Sequence, residues 1–430
     1  MCKIYPRVLI VNQQSIKKNN ATGITLRSLW GDWPNDSVME VFIDGYTETV
    51  HFRSGFRSFC LPSTLFSKIA HSKKAQKTNS RIKRKSNHSD QSFKTWFRQV
   101  VVLINDMLIP RIPSRIKKIV KEFKPQVVYT LGGSVGALGI AKRIGKAFGL
   151  PIIIHYMDNW PERLQWESNS FTRIYRKALN RQHKKCLLRS RVGLAISPQM
   201  ADAYQLKFKM PFDCLMNSVD CASFFVGPRK TAKPYIFVYA GGLHLNRWKA
   251  LQEIDRAIAI TGIQAELHIY TSDQDAEMYR AAFSHNALFH KSVEHSKILS
   301  VYETADLLIH AECGTPLLLG FFKYSISTKI PEYLSSGRPM LFYGPTEMGL
   351  YNYLKTNNAA FVAHDFVSLC LVLPETICND RATTITTNAR RLASKNHSLE
   401  KNEDRLYNAI EQSIAAYNDT GFKQYEERSQ

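Results

Sequence analysis

Residues 323–339 read Lys323-Tyr324-Ser325-Ile326-Ser327-Thr328-Lys329-Ile330-Pro331-Glu332-Tyr333-Leu334-Ser335-Ser336-Gly337-Arg338-Pro339, and the apolar run Met340-Leu341-Phe342-Tyr343 follows at once. Ser327 is a natural N-cap, Lys329–Ser335 a short helix, Gly337 its stop and Pro339 the opening of a strand. Lys329 and Glu332 lie three apart, on one face of that helix. Two readings of the pair stand open. One is a surface ion pair worth about 0.2–0.5 kcal/mol. In the other, the carboxylate holds a ribose diol while the ammonium meets a phosphate.

A helix running straight into a short apolar strand is half of an α/β unit, and more such units lie on both sides. Downstream comes Ala360-Phe361-Val362. Upstream come Leu307-Leu308-Ile309-His310, Leu267-His268-Ile269-Tyr270 and Ile236-Phe237-Val238-Tyr239, with helical patterns at 248–260 and 296–305. An earlier series runs through Val8–Val11, 38–43, Val127–Thr130, Ile152–His155 and Val192–Ile196, with a helix at 137–148 that stops at Gly149. Alternation of this kind predicts parallel sheets covered on both faces. The fold class expected is α/β, two tandem doubly wound Rossmann-like domains facing a cleft. The segment 227–234 reads as a linker, which gives domains at 1–225 and 232–385. Helices over 386–430 are expected to pack back across the domains.

In open α/β sheets ligands bind beyond the carboxyl ends of the strands. After Ile236–Tyr239 comes Ala240-Gly241-Gly242-Leu243-His244-Leu245-Asn246-Arg247-Trp248-Lys249. Gly241 and Gly242 allow close backbone approach. The helix that follows offers its N-terminal N–H groups, and Arg247 and Lys249 add full charge, so this is a plausible diphosphate seat. A glycine turn before a helix is also common in proteins that bind no phosphate. Asp273-Gln274-Asp275 has the Asp-x-Asp look of a metal site but reads better as a helix N-terminus. His285, His290 and His295 show no ligand spacing and read as surface residues. Trp30 and Trp33 read as core. No metal site is expected.

The chain has 430 residues, 44% hydrophobic and 22% charged, and no apolar run approaches the ~20 residues of a membrane span. Its eight cysteines include no C-x-x-C pair, consistent with reduced thiols in a cytoplasmic protein. The net charge of +22 is concentrated. Residues 68–124 hold 16 Lys/Arg against three acids, and 173–191 hold eight against none. Aromatic and aliphatic residues beside the first cluster suit a helix at an anionic membrane surface. A solvated basic loop before a core helix is the plainer reading.

The 327–339 pattern, Ser-x-Lys-x-x-Glu-Tyr-Leu-x-Ser-Gly-Arg-Pro, resembles the nucleotide-sugar motif of GT-B glycosyltransferases, family 4 type, acting in bacterial surface polysaccharide assembly. Other pieces follow in the same order: Thr22-Gly23-Ile24-Thr25 resembles an N-terminal glycine loop, and His155-Tyr156-Met157-Asp158-Asn159-Trp160-Pro161 a His/Asp segment after a strand. Ile196-Ser197-Pro198-Gln199-Met200 with Asn217-Ser218-Val219-Asp220 resembles the family's domain-closing pattern. The likeness spans about residues 7–363.

The resemblance implies that Glu332 binds the donor ribose and that Ser327 and Lys329 lie near the donor phosphates. It implies that Arg247 and Lys249 stabilise the leaving diphosphate without a metal, and that Gly23 approaches the donor phosphate or the acceptor. His155 and Asp158 would face the transferred sugar. It departs from the pattern at Leu243, where many members carry Arg. It departs again at Tyr324, where the usual first acid would stand. Glu312 would replace that acid if 314–323 is an inserted loop; otherwise it is a strand-end acid.

The activity implied is transfer of a sugar from a nucleoside diphosphate sugar to a lipid-linked or oligosaccharide acceptor, with retention, no cofactor and no nucleic acid. The place implied is the cytoplasmic face of the inner membrane, held peripherally through the anionic surface. A sugar-nucleotide epimerase on the same fold would keep the donor motifs but give the basic segment no purpose. A nucleic-acid-binding protein would use the charge and leave Glu332 unexplained.

Overall fold

The computed structural model describes residues 3–16, 21–43, 52–61, 100–109, 111–162, 170–227, 233–284, 286–314 and 316–419. Thirteen strands among them form two parallel sheets of seven and six strands. The chain divides into two compact units, Met1–Leu215 with Glu403–Gln430 and Met216–Asn402.

In the first unit β1 (Val8–Asn12) and β2 (Val38–Phe42) are buried at every position, as are β4 (Val127–Leu131, all but its last residue) and β5 (Ile152–Tyr156). Strands covered on both faces read as unbroken apolar runs, which is why the sequence gives them away. Val8 registers with Val38 on one side and Val127 on the other. The order β3-β2-β1-β4-β5-β6-β7, with β3 at Arg57–Cys60, β6 at Gly193–Ala195 and β7 at Phe212–Cys214, turns back between β1 and β4. Edge strands β3 and β7 were not expected: β3 has no buried residue and β7 one, so neither carries an apolar run. Trp30 and Trp33 are core residues, both fully buried, their rings edge-to-face at 5.1 Å.

The second unit has the order β10-β9-β8-β11-β12-β13. Its strands are β8 (Tyr235–Ala240), β9 (Ala265–Thr271), β10 (Ala287–Lys291), β11 (Leu307–Ala311), β12 (Met340–Tyr343) and β13 (Phe361–Ala363). Its order reverses between β8 and β11, which places the binding crevice of this unit beyond the carboxyl ends of those two strands. Phe237, Tyr239, Leu251, Ile254, Leu267, Ile309 and Leu341 form the core beneath it.

Two expectations are corrected here. The division falls at Met216, not at 225–232. The segment after 216 is bound to the second unit: Asn217 donates to the Ile326 carbonyl at 2.8 Å, the Val226 N–H to the Ser336 carbonyl at 2.9 Å, and Val219 pairs with Ser398. Of the C-terminal helices, Asn379–Asn396 belongs to the second unit. Helix Leu399–Asp419 passes from the second unit to the first at Glu403, where Lys3 pairs with Asp404 at 2.8 Å and Arg189 donates to Tyr417. Thr22 and Gly23 are not in a loop but in the first turn of helix Ala21–Trp30. The basic segment 68–99 lies outside the described residues. Among the described residues no helix is long and apolar enough to cross a membrane.

Candidate functional site

At the carboxyl end of β8 the chain enters Gly241–Asn246, and three contacts fix this loop. The Gly241 N–H donates to the Tyr270 carbonyl at 2.9 Å and the Tyr239 hydroxyl to the Gly242 carbonyl at 2.8 Å. The Leu243 N–H donates to Asp275 Oδ2 at 2.9 Å. Asp275 sits in the first turn of helix Asp273–Tyr279, as its sequence suggested, and is spent on holding the loop. Leu245 and Asn246 both take left-handed backbone, φ 62° and 63°. Two such residues in succession are costly for side chains other than glycine and mark a turn fixed by its surroundings. They deliver the chain into helix Arg247–Thr261, whose N-cap, Asn246, gives no side-chain bond to the first turn.

Arg247 opens that helix. Its guanidinium grips Glu312, just past the end of β11, with Nε to Oε2 at 3.0 Å and Nη2 to Oε1 at 2.8 Å. His310 Nε2 stands 3.2 Å from the same Oε1. Burial by itself would raise the Glu312 carboxyl. Its contacts with His310 and Arg247 outweigh that and hold it at about 2. Burial works against the Arg247 cation too, and the Glu312 charge more than restores it. Glu312 is therefore a buried ion-pair partner. The segment that separates it from the 327–339 motif contains a helix, Pro316–Phe322, that the sequence did not announce.

Lys329 and Glu332 share helix Lys329–Ser335 but do not pair. The helix is capped one residue later than expected, at Thr328, and Ser327 Oγ accepts from the Lys329 N–H at 3.4 Å. The Lys329 ammonium lies 5.0 Å from the centre of the Tyr239 ring and against Gly241. Among the described residues it meets no carboxylate within ion-pair distance. Burial, reinforced by Arg247, lowers it to about 8. Gly241 has no left-handed φ; a Cβ there would stand 1.8 Å from Lys329 Nζ, so glycine is required for this approach.

Glu332 is 4% exposed. Oε1 accepts from His295 Nε2 at 2.8 Å and Oε2 from the Tyr302 hydroxyl at 2.6 Å. Sequence reasoning missed both partners. Their only local signal is the seven-residue spacing His295–Tyr302, two helical turns, across the turn His295–Lys297 and the helix Ile298–Thr304.

The other expected site residues fall elsewhere. Lys249 is exposed, its ammonium 5.6 Å from the centre of the Trp248 ring. His155 does not face a substrate: it has no exposed surface, and its ring bonds the Tyr129 hydroxyl at 2.7 Å and the Leu215 carbonyl at 3.2 Å. Burial lowers it to about 3, so it is a neutral core histidine. Asp158 is half-buried just past β5. Gly23 lines a cavity of about 230 Å³ at the ends of β1 and β4, together with Asn12, Ser15, Ser134 and Trp160.

Two sheets with these strand orders and crevices define the GT-B fold, the architecture the resemblance implied. Solved structures that share it along nearly the whole chain include the sucrose-phosphate synthase of Thermosynechococcus elongatus, at 13% identity, 96% of this chain, 100% of that chain and TM-score 0.60. Anabaena HepE in complex with UDP matches at 12% identity, 94% and 100% coverage and TM-score 0.62. The lipopolysaccharide outer core galactosyltransferase WaaB matches at 12%, 95% and 99%, with TM-score 0.56. At these identities the likeness is one of fold. No protein-family model and no curated protein sequence matches the chain.

Proposed function

We propose that this protein is a glycosyltransferase that moves a sugar from a nucleoside diphosphate to a glycan acceptor. The observation that carries the reading is Lys329: a half-buried ammonium, free of any carboxylate within ion-pair distance among the described residues, set against a glycine at the switch point of the second sheet. Negative charge grows on the diphosphate as the sugar leaves. A cation already in place stabilises that charge without reorganising. In this reading the leaving group lies along Gly241–Leu243 under Lys329, and the ribose lies by Glu332. Arg247 is positioned by Glu312 rather than free, so Lys329 carries the task first assigned to Arg247 and Lys249. That HepE has been solved with UDP and with UDP-glucose supports this choice of ligand.

The acceptor side of the proposal rests on charge. Helix Ser170–Leu187 in the first unit exposes Arg173, Lys177, Arg181, Lys184 and Lys185, and Ile174 and Leu188 beside them are 54% and 49% exposed. A basic stripe with apolar residues suits an anionic membrane surface carrying a lipid-linked acceptor. Retention, surface polysaccharide synthesis and a peripheral place on the cytoplasmic face complete the proposal.

The test is a thermal-shift and calorimetric screen with UDP, GDP, CDP and TDP, followed by sugar transfer to a membrane fraction. One nucleotide should bind, and its sugar conjugate should release that nucleotide only with acceptor present. Epimerised sugar nucleotide instead would assign the alternative activity. Gly241→Ala supplies a sharper check. Only the flexible end of Lys329 must yield to the new Cβ, so the melting midpoint should hold. Affinity for the bound nucleotide should fall about tenfold or more, as expected when about 1.4 kcal/mol or more of contact is lost.

A further inference from the structure

Glu332 is covered from two directions. Tyr302, itself 1% exposed, holds Oε2 from within the core. His295 holds Oε1 from outside: its side chain is 58% exposed where that of Glu332 is 5% exposed. A ligand arriving from solvent therefore meets the imidazole before the carboxylate. A diol held by one carboxylate needs acceptor positions on both oxygens, and the outward one on Oε1 is taken.

We infer that His295 is a displaceable cap on Glu332 that competes with the ribose 2′,3′-diol of the nucleotide. The inference rests on the donor-site reading above and adds to it a residue that controls entry. Displacement costs an ion pair when the imidazole is protonated and only a neutral hydrogen bond when it is not. Nucleotide binding thus releases the His295 proton, and affinity rises with pH through its titration. The bond to Glu332 raises the imidazole, and burial opposes this in part. The ring faces Glu332; Tyr302 bonds the other oxygen of that carboxylate, Lys329 on the Glu332 helix turns its ammonium to Tyr239, and Glu294 and Lys297 flank His295 in its own turn. The Phe224 ring lies edge-on at 6.2 Å and does not titrate.

The experiment titrates the full chain calorimetrically with UDP, GDP and CDP, and with the 2′,3′-dideoxy form of whichever binds, between roughly pH 6 and 7.5, below the range where Lys329 discharges. The terminal phosphate titrates alike in both forms, so their difference reports the ribose. The ribonucleotide should tighten by about fivefold to tenfold across the range relative to the dideoxy form, up to one proton released per ligand. His295→Ala should bind the ribonucleotide at least as tightly as the parent does at the upper pH, with no excess pH dependence. His295→Gln, a neutral donor, should also lose that dependence. Weaker binding by His295→Ala, or the parent's pH dependence retained in either variant, would overturn the cap. If the parent binds none of the three nucleotides and no TDP at any pH, the donor-site reading falls and takes the cap with it; binding of TDP alone, which lacks the 2′-hydroxyl, overturns only the cap.

Discussion

Lys329→Met should weaken nucleoside diphosphate binding by roughly 30- to 150-fold, the equivalent of about 2–3 kcal/mol for a charged contact to the ligand that is lost. The same change should raise the melting midpoint of the free protein. Both follow from one fact: the ammonium is partly withdrawn from water against Tyr239 and has no carboxylate partner within ion-pair distance among the described residues. Burial has moved it from 10.5 to about 8. Between those values the unfolded chain binds the extra proton, so the parent should gain stability as pH rises from about 8 to 10.5, and below that window the charge is a net burden on the fold. Methionine keeps the bulk and removes the burden. In the parent, affinity should fall as pH rises above about 8, and the variant should lack that fall. Paired melting and calorimetry across this range checks both halves; a variant that binds as tightly as the parent would remove Lys329 from the site.

Glu312→Gln should be the most damaging single change to stability, by about 3–5 kcal/mol, because it strands the Arg247 charge in a buried place. Arg247→Met added to it should recover most of the loss, since the desolvation cost disappears with the cation. Urea unfolding of the parent, the single and the double variant measures this. Acid offers a second measure. Glu312 sits at about 2 in the folded protein against its ordinary 4.5. Its contribution should be complete above 4.5 and vanish as pH falls through about 2. Equal acid sensitivity in parent and double variant would show the pair contributes nothing.

The His155 result shows where motif reading stops. A histidine after a run of isoleucines looks the same in sequence whether it reaches a crevice or turns inward, and here the inward partners, Tyr129 and Leu215, lie 26 and 60 positions away. Glu332 is the converse case. Its motif was legible, but the residues that bond its carboxylate, His295 and Tyr302, are 37 and 30 positions distant, and His295 reads as a surface residue in sequence. The Arg247–Glu312 grip joins positions 65 apart across β8 and β11 and could not be read from either stretch.

The local sequence determined which segments are the buried strands and where two of the helices stop, since strands covered on both faces must be apolar throughout and these helices end at Gly149 and Gly337. It also determined that Lys329 and Glu332 share a helix at the mouth of a sheet. Only the tertiary structure decided what each charge does there. The dielectric around a side chain and the partner that meets it are set by segments distant in sequence. Those two quantities make Arg247 half of an ion pair, set the Lys329 ammonium against Tyr239 and Gly241 with no carboxylate at ion-pair distance among the described residues, and put His295 over the Glu332 carboxylate.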